Sequence, residues 1–236
     1  MKKLLLVIAI LFTFNCSADA QSRSGNNGNY YLGAGYSLLI FTNSDAYHIY
    51  PVVNFNASSF MSEFDINAGY KFNKNIALEF DPGFIWARAQ SNNGFYFNDG
   101  SNNYFYQPLE SDLFAMPLNI KLKIFPFTSK VKSFTDNLYF GVGGGAIFLS
   151  EQYDNSIYSD NNLTNYISTR TSSNNLWRPD AFLSFGIDFS TKYGFGLEGT
   201  YRFIPLATKG NQPVITSVAS NFNSVNIALK VMLNFF

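Results

Sequence analysis

The sequence predicts an all-β fold, an eight-stranded antiparallel up-and-down transmembrane β-barrel. Three observations predict it. Apolar and polar residues alternate with period two through segments of about ten residues, as strands with one apolar face require. Long and short connections alternate down the chain, so the long ones collect at one end of a meander. The ionic side chains of the strands fall on one face and the Leu, Ile and Phe side chains on the other.

The chain opens with an export signal. Lys2 and Lys3 precede the apolar run Leu4 to Phe12, and Ala18-Asp19-Ala20 stands before Gln21. That run is too short for a spanning helix, which needs about 20 residues, and the pattern marks cleavage between Ala20 and Gln21. A lipid-modified Cys16 is the competing reading, and Thr13-Phe14-Asn15 matches the required motif poorly. We therefore expect a signal peptide over 1–20, a short periplasmic tail over 21–28 and a barrel domain over 29–236.

The strands follow in order. The first sets Leu32, Ala34, Tyr36 and Leu38 around Gly33, Gly35 and Ser37. The second alternates Phe64, Ile66, Ala68, Tyr70 and Phe72 with Glu63, Asp65, Asn67 and Lys71; the third alternates Ile76, Leu78, Phe80, Phe84 and Trp86 with Ala77, Glu79, Asp81 and Gly83. The fourth sets Phe114 to Ile124 against Asn119, Lys121 and Lys123, with Pro117 in its middle predicting a bulge or a lost ladder bond. The fifth, from Leu138 to Phe148, is rich in glycine. The sixth runs from Leu183 to Phe189 with Asp188 on the polar face, and the seventh from Phe195 to Phe203 with Glu198 and Arg202. The eighth carries Val225, Ile227, Leu229, Val231, Leu233 and Phe235, interrupted by Asn226, Lys230 and Asn234. Connections are expected at 42–59, 73–74, 90–108, 126–136, 151–176, 190–192 and 206–221.

Composition narrows the classes. Charged residues are 14% and aromatic ones 18% of 236 residues, against about 25% charged in an ordinary soluble domain. A formal net charge of zero gives no footprint for nucleic acid, and one cysteine excludes a disulfide framework or a Cys-rich zinc site. The polar strand face holds Glu63, Asp65, Lys71, Glu79, Asp81, Lys121, Lys123, Asp188, Glu198, Arg202 and Lys230. A Lys or Arg facing lipid at mid-membrane costs about 2–4 kcal/mol. A fold stable by about 5–15 kcal/mol could not carry eleven charges there. They must face one another inside a closed ring, for no open sheet edge survives in hydrocarbon. We expect Glu79, Glu198 and Asp188 to join Lys121, Lys230 and Arg202 in a lumen network, structural or gating. A soluble barrel with the opposite orientation shares the alternation; the export signal and two groups of aromatics argue against it. Tyr70, Phe72, Tyr139, Phe140, Phe189, Tyr193 and Phe235 fall near the short turns, and Trp86, Trp177, Phe114, Tyr201 and Phe203 near the long loops.

Candidate chemistry is thin. His48, the sole histidine, lies three residues after Asp45 in a loop, in no recognisable pattern with a nucleophile. Asp154, Asp160, Asn161 and Asn162 lack the spacing of a calcium loop. Gly141 to Gly145 lacks the helix that would make a phosphate loop. No catalytic residue, cofactor or metal site is assigned.

Several segments resemble the small outer-membrane β-barrel family, the OmpA/OmpX-type or porin-family barrels common in Bacteroidota-like bacteria. They are Tyr31-Leu32-Gly33-Ala34-Gly35-Tyr36, Met116-Pro117-Leu118-Asn119-Ile120-Lys121, Phe140-Gly141-Val142-Gly143-Gly144-Gly145 and the aromatic C-terminal strand. The resemblance covers the whole mature chain. It implies a bacterial outer-membrane location, outer-membrane lipids as surroundings and the barrel-assembly machinery as a partner during insertion. That machinery would read the strand bearing Leu233, Phe235 and Phe236; outward parity falls on Phe235, leaving Phe236 one residue past it. The expected function is a monomeric, non-enzymatic barrel with a charge-filled lumen. Its role is structural, or the binding of an extracellular surface or protein ligand through its loops. A narrow gated channel for ions or small solutes is the alternative, and a lipid-modifying enzyme a third.

Overall fold

The computed structural model describes residues 29–50, 61–89, 93–127, 133–189, 193–206 and 211–235. The expected signal peptide, the Ala20/Gln21 cleavage site, the 21–28 tail and Phe236 lie outside the described residues. The elements are β1 (Asn29–Phe41), α1 (Ser44–Ile49), β2 (Ser62–Lys71), β3 (Ile76–Ala89), β4 (Phe95–Asn98) and β5 (Asn103–Ile124). After a 3₁₀ turn come β6 (Leu138–Tyr158), β7 (Tyr166–Phe189), β8 (Tyr193–Phe203), α2 (Ile215–Val218) and β9 (Ser224–Phe235).

Eight strands close a ring. Neighbours pair in the order β3-β2-β1-β9-β8-β7-β6-β5, and β3 pairs with β5 to shut it; β4 adds only to β5. Every pairing is antiparallel. The ends Asn29 and Phe235 sit at the short-turn end, where β2 meets β3 and β7 meets β8.

Alternation decides which side chain enters the ring. On β9, Ser224, Asn226, Ala228, Lys230, Met232 and Asn234 are buried, while Ile227, Leu229 and Val231 are 53%, 67% and 64% exposed on the outer wall. Large apolar residues cover that wall on every ring strand, including Phe64, Phe80, Ile120, Val142, Leu183 and Phe195. The expected girdle aromatics Phe72, Trp86, Phe114, Phe140, Trp177, Tyr193, Tyr201, Phe203 and Phe235 are exposed there. Tyr139 is the correction. It is 0% exposed and points into the ring, because its parity is that of Gly141 and Gly143.

Pro117 produces no bulge. The β3–β5 register is unchanged on both sides, and the ladder merely skips Gly83 and Phe84 opposite Pro117 and Met116. Pro82 leaves a similar gap toward β2. Each proline lacks the N–H that a central ladder needs.

Two expected loops are largely strand. Residues 151–176, rich in Asn, Ser and Thr, continue β6 and β7 in register from Glu151↔Asn174 to Ile157↔Ser168, and only 159–165 turn. Above the wall the outward face meets water and the inward face, buried at Glu151, Tyr153, Asn155 and Ile157, is partly polar, so apolar alternation fades while Thr and Ile keep their preference for extended backbone. Within 90–108, Phe95–Asn98 pairs with β5 through a turn at Asp99-Gly100, where Gly100 has φ 104. The strands β4 to β7 thus rise beyond the ring as a projecting sheet. β8 pairs with β7 only from Ala181 onward. Among the described residues, no strand covers the edge of β7 between Tyr166 and Asp180.

Candidate functional site

The lumen has layers. At the short-turn end Tyr31, Ala77, Phe125, Tyr139 and Met232 form an aromatic and apolar floor. Asn75 secures that floor by donating from Nδ2 to the carbonyl of Phe125 at 3.0 Å. Lys71 stands half-buried with its ammonium 5.8 Å and 5.6 Å from the ring centroids of Tyr31 and Phe125.

Above the floor lies the ionic layer. Lys121 is 1% exposed, and its Nζ reaches Glu79 at 3.0 Å, Asp81 at 2.8 Å and Glu198 at 2.9 Å. Lys123 pairs with Glu79 at 2.7 Å and Asp188 at 3.0 Å. Lys230 lies 3.0 Å from Glu198, 3.5 Å from Glu79 and 3.7 Å from Asp81. Two buried phenols complete it: Tyr31 donates to Glu79 at 2.8 Å and Tyr139 to Glu198 at 2.5 Å. Register explains the meeting, for Glu79 is directly opposite Lys121, and Gly143 and Gly196 lie opposite Lys121 and Lys230. Glycine leaves the space: a Cβ at Gly69 would strike the Tyr31 ring, and one at Gly186 the Tyr139 phenol.

Arg202 departs from the expected network. Instead of joining Glu79 or Glu198, its fork donates to both oxygens of Glu63 at 3.1 Å and 3.0 Å, and its Nε lies 3.2 Å from Asp180. Asn226 donates to Glu63 at 2.7 Å and Asn119 to Asp180 at 2.8 Å. Asp188, too, pairs with Lys123 rather than with any of the expected bases. Asp65 lies against Gly35 and lines a cavity of about 20 Å³ with Glu63, Asp81, Lys121, Glu198 and Lys230. Among the described residues Asp65 has no ion pair. The eleven expected residues therefore share one lumen, in two linked clusters with Lys71 at the floor.

Sequence reasoning missed Asp180, Tyr31, Tyr139, Asn119 and Asn226 as members. Their signal is parity alone. Carrying the alternation of β7 back from Ser184 through Phe182 reaches Asp180 on the inner face.

The charges fill only half the lumen, which corrects the expectation of a charge-filled interior. Above them lie Leu39, Phe41, Ile85, Leu113, Ile147 and Leu149, packed under Ala46, Ile49 and Tyr50 from the α1 segment and Ile204, Val214, Ile215 and Phe222 from the α2 segment. These two connections fold into the mouth as a plug. Glu151, buried at 1% exposure, holds both. It accepts from the Tyr50 hydroxyl at 2.9 Å, and from the Thr216 N–H and hydroxyl at 2.8 Å and 2.7 Å. Glu151 stands beyond the upper rim at Phe148 and Trp177. Burial raises its carboxyl above the ordinary value, and the Thr216 hydrogen bonds oppose that rise.

Asp45 and His48 lie exposed on α1. Asp154 accepts from Thr171 at 2.8 Å, while Asp160 caps its own turn through Asn162 and Asn165. The expected acidic group is thus divided between two structural tasks.

No protein-family model matches the chain, and no curated protein does. Solved structures resembling it include Neisserial surface protein A (12% identity, TM-score 0.44, covering 89% of this chain and 99% of that one). Another is the N-terminal β-barrel domain of Pseudomonas aeruginosa OprF (10%, 0.37, 90% and 100%). A third is Ail, the attachment invasion locus protein of Yersinia pestis (10%, 0.41, 88% and 97%). At these identities and scores the likeness assigns no activity or ligand. The closed ring of strand pairs establishes the eight-stranded barrel by itself.

Proposed function

We propose that this protein is an integral barrel of the bacterial outer membrane, non-enzymatic, with a structural role and a surface-binding role carried by its projecting sheet. One observation carries the reading: the molecule is inside out relative to a soluble barrel. Its buried layer is ionic, with Glu79, Lys121 and Lys123 at 0–1% exposure, and its outer wall is Phe, Leu, Ile and Val. In water such a wall would be an apolar patch far beyond the few hundred Å² a monomer ordinarily exposes. Against acyl chains it costs nothing.

The outward Val231, Leu233 and Phe235 of β9 suit recognition by the barrel-assembly machinery. Both lumen halves are packed, which favours a closed plug over an open pore. The test is fractionation with gel electrophoresis. Expected are recovery in the outer-membrane fraction and a band that shifts on boiling; a soluble periplasmic protein without the shift would overturn the reading. In planar bilayers the closed lumen predicts no sustained conductance, whereas stable single-channel steps abolished by Lys121→Ala would favour the channel.

A further inference from the structure

We infer that the outward face of the projecting sheet is a binding site for an uncharged glycan chain, held on a row of aromatic rings. The inference rests on the outer-membrane reading above and names the ligand class of its contact surface.

The row is a product of register. Tyr96 is paired with Phe105, Phe105 with Tyr158, and Tyr158 with Tyr166, so one ring from each of β4, β5, β6 and β7 lies in line across the tip. The rings touch edge to face, at 5.3 Å for Tyr96–Phe105 and 5.8 Å for Tyr158–Tyr166. Tyr96 and Tyr166 at its ends are 54% and 58% exposed.

Neither packing nor lipid explains it. The core-facing partners of these strands are Phe95, Tyr106 and Ile157, on the opposite face. Along β6, Tyr158 stands roughly 30 Å beyond the rim residue Phe148 at about 3.3 Å per residue. The outward rows between them are polar apart from Leu109 at the β5 bulge, with Gln107, Ser156 and Thr169 directly below the rings. An exposed aromatic row set in water marks a ligand surface.

Charge selects the ligand. The row is bordered by Asn98 and Asn103 above and by amide and hydroxyl side chains below, all neutral. The nearest carboxylates, Asp99 and Asp160, are exposed and cap their own turns: Asp99 accepts from the Ser101 and Asn102 N–H groups, and Asp160 from Asn162 and Asn165. These carboxylates repel a sulfated or phosphorylated ligand, and Arg170 stands opposite Asn155 on the inward face, away from the row. A neutral saccharide fits, its C–H faces on the rings and its hydroxyls on the flanking amides and hydroxyls. Strand spacing of about 4.8 Å sets the rings along the row at a repeat comparable to that of an extended pyranose chain.

The test uses the full chain refolded in detergent, with the heat-shifted band as proof of folding, on an array of neutral, sialylated and sulfated glycans. Binding to at least one neutral oligosaccharide is expected, weakened roughly tenfold or more by Tyr96→Ala with Tyr166→Ala. Calorimetry on the captured sugar reads the loss, and Phe64→Ala on the outer wall should leave affinity unchanged. Binding confined to sulfated or sialylated glycans, no glycan binding at all, or affinity indifferent to the two tyrosines would overturn the proposal. An Asn161→Cys variant probed in intact cells with a membrane-impermeant maleimide separates the two readings. Labelling with no glycan bound defeats the glycan site alone; absence of labelling defeats the surface reading beneath it.

Discussion

Arg202 illustrates how the lumen is held together residue by residue. A buried ion costs several kcal/mol to desolvate, and only full pairing with good geometry offsets it. The guanidinium meets that demand with a bidentate contact to Glu63 and a third to Asp180. Arg202→Ala would leave two carboxylates uncompensated, and we expect a loss of about 3–5 kcal/mol in urea unfolding of the barrel in phospholipid vesicles, followed by Trp86 and Trp177 fluorescence. A loss below about 1 kcal/mol would mean that water already solvates the cluster. Parity alone indicated that these ionic groups share a face. Their choice of partners was not legible, because it depends on which strands neighbour across the ring: Glu63 and Arg202 are 139 residues apart in the chain.

At the scale of elements, the α1 and α2 segments are short helices that would not persist alone. They are retained by apolar packing in the mouth and by Glu151. Glu151→Ala leaves the Tyr50 hydroxyl and the Thr216 donors without an acceptor, for an expected loss of about 2–4 kcal/mol. Glu151→Gln keeps an acceptor oxygen and should stay within about 1 kcal/mol of wild type. Because folding raises this carboxyl, the folded plug binds its proton more tightly than the unfolded chain. Its contribution is therefore largest on the acid side and declines as pH rises from the ordinary carboxyl range through the raised value. Urea titrations at a series of pH values check this, and Glu151→Gln should remove that part of the slope. The same scale shows where periodicity stops informing. Within the wall, an apolar outer face and a largely polar lumen face produce clean alternation. In the projecting sheet the outward face is solvated and the inward face mixes Glu151 and Asn155 with Tyr153 and Ile157, so β6 and β7 run on under a composition that reads as loop. For β4 the sequence does carry a signal: Asp99-Gly100, between two aromatic runs, opens the 99–102 turn that joins Asn98 to Asn103.

For the whole molecule, the decisive property is the direction in which the apolar wall faces. Leu229 is 67% exposed and central on β9. Leu229→Arg should cost about 2–4 kcal/mol in vesicles, while Thr169→Arg, above the rim, should be near neutral. Equal and small effects would place the wall in water. The sequence by itself determined the all-β class, the ring of eight strands and the face on which the ions lie. It could do so because a period of two is a local property, and a one-residue slip would move every charge to the wrong side. Only the tertiary structure decided which ions pair, that Tyr139 points inward, that two connections plug the mouth, and that four rings align across the tip. Each of these depends on register between strands distant in the chain, and register arises from closing the cylinder, not from any single segment.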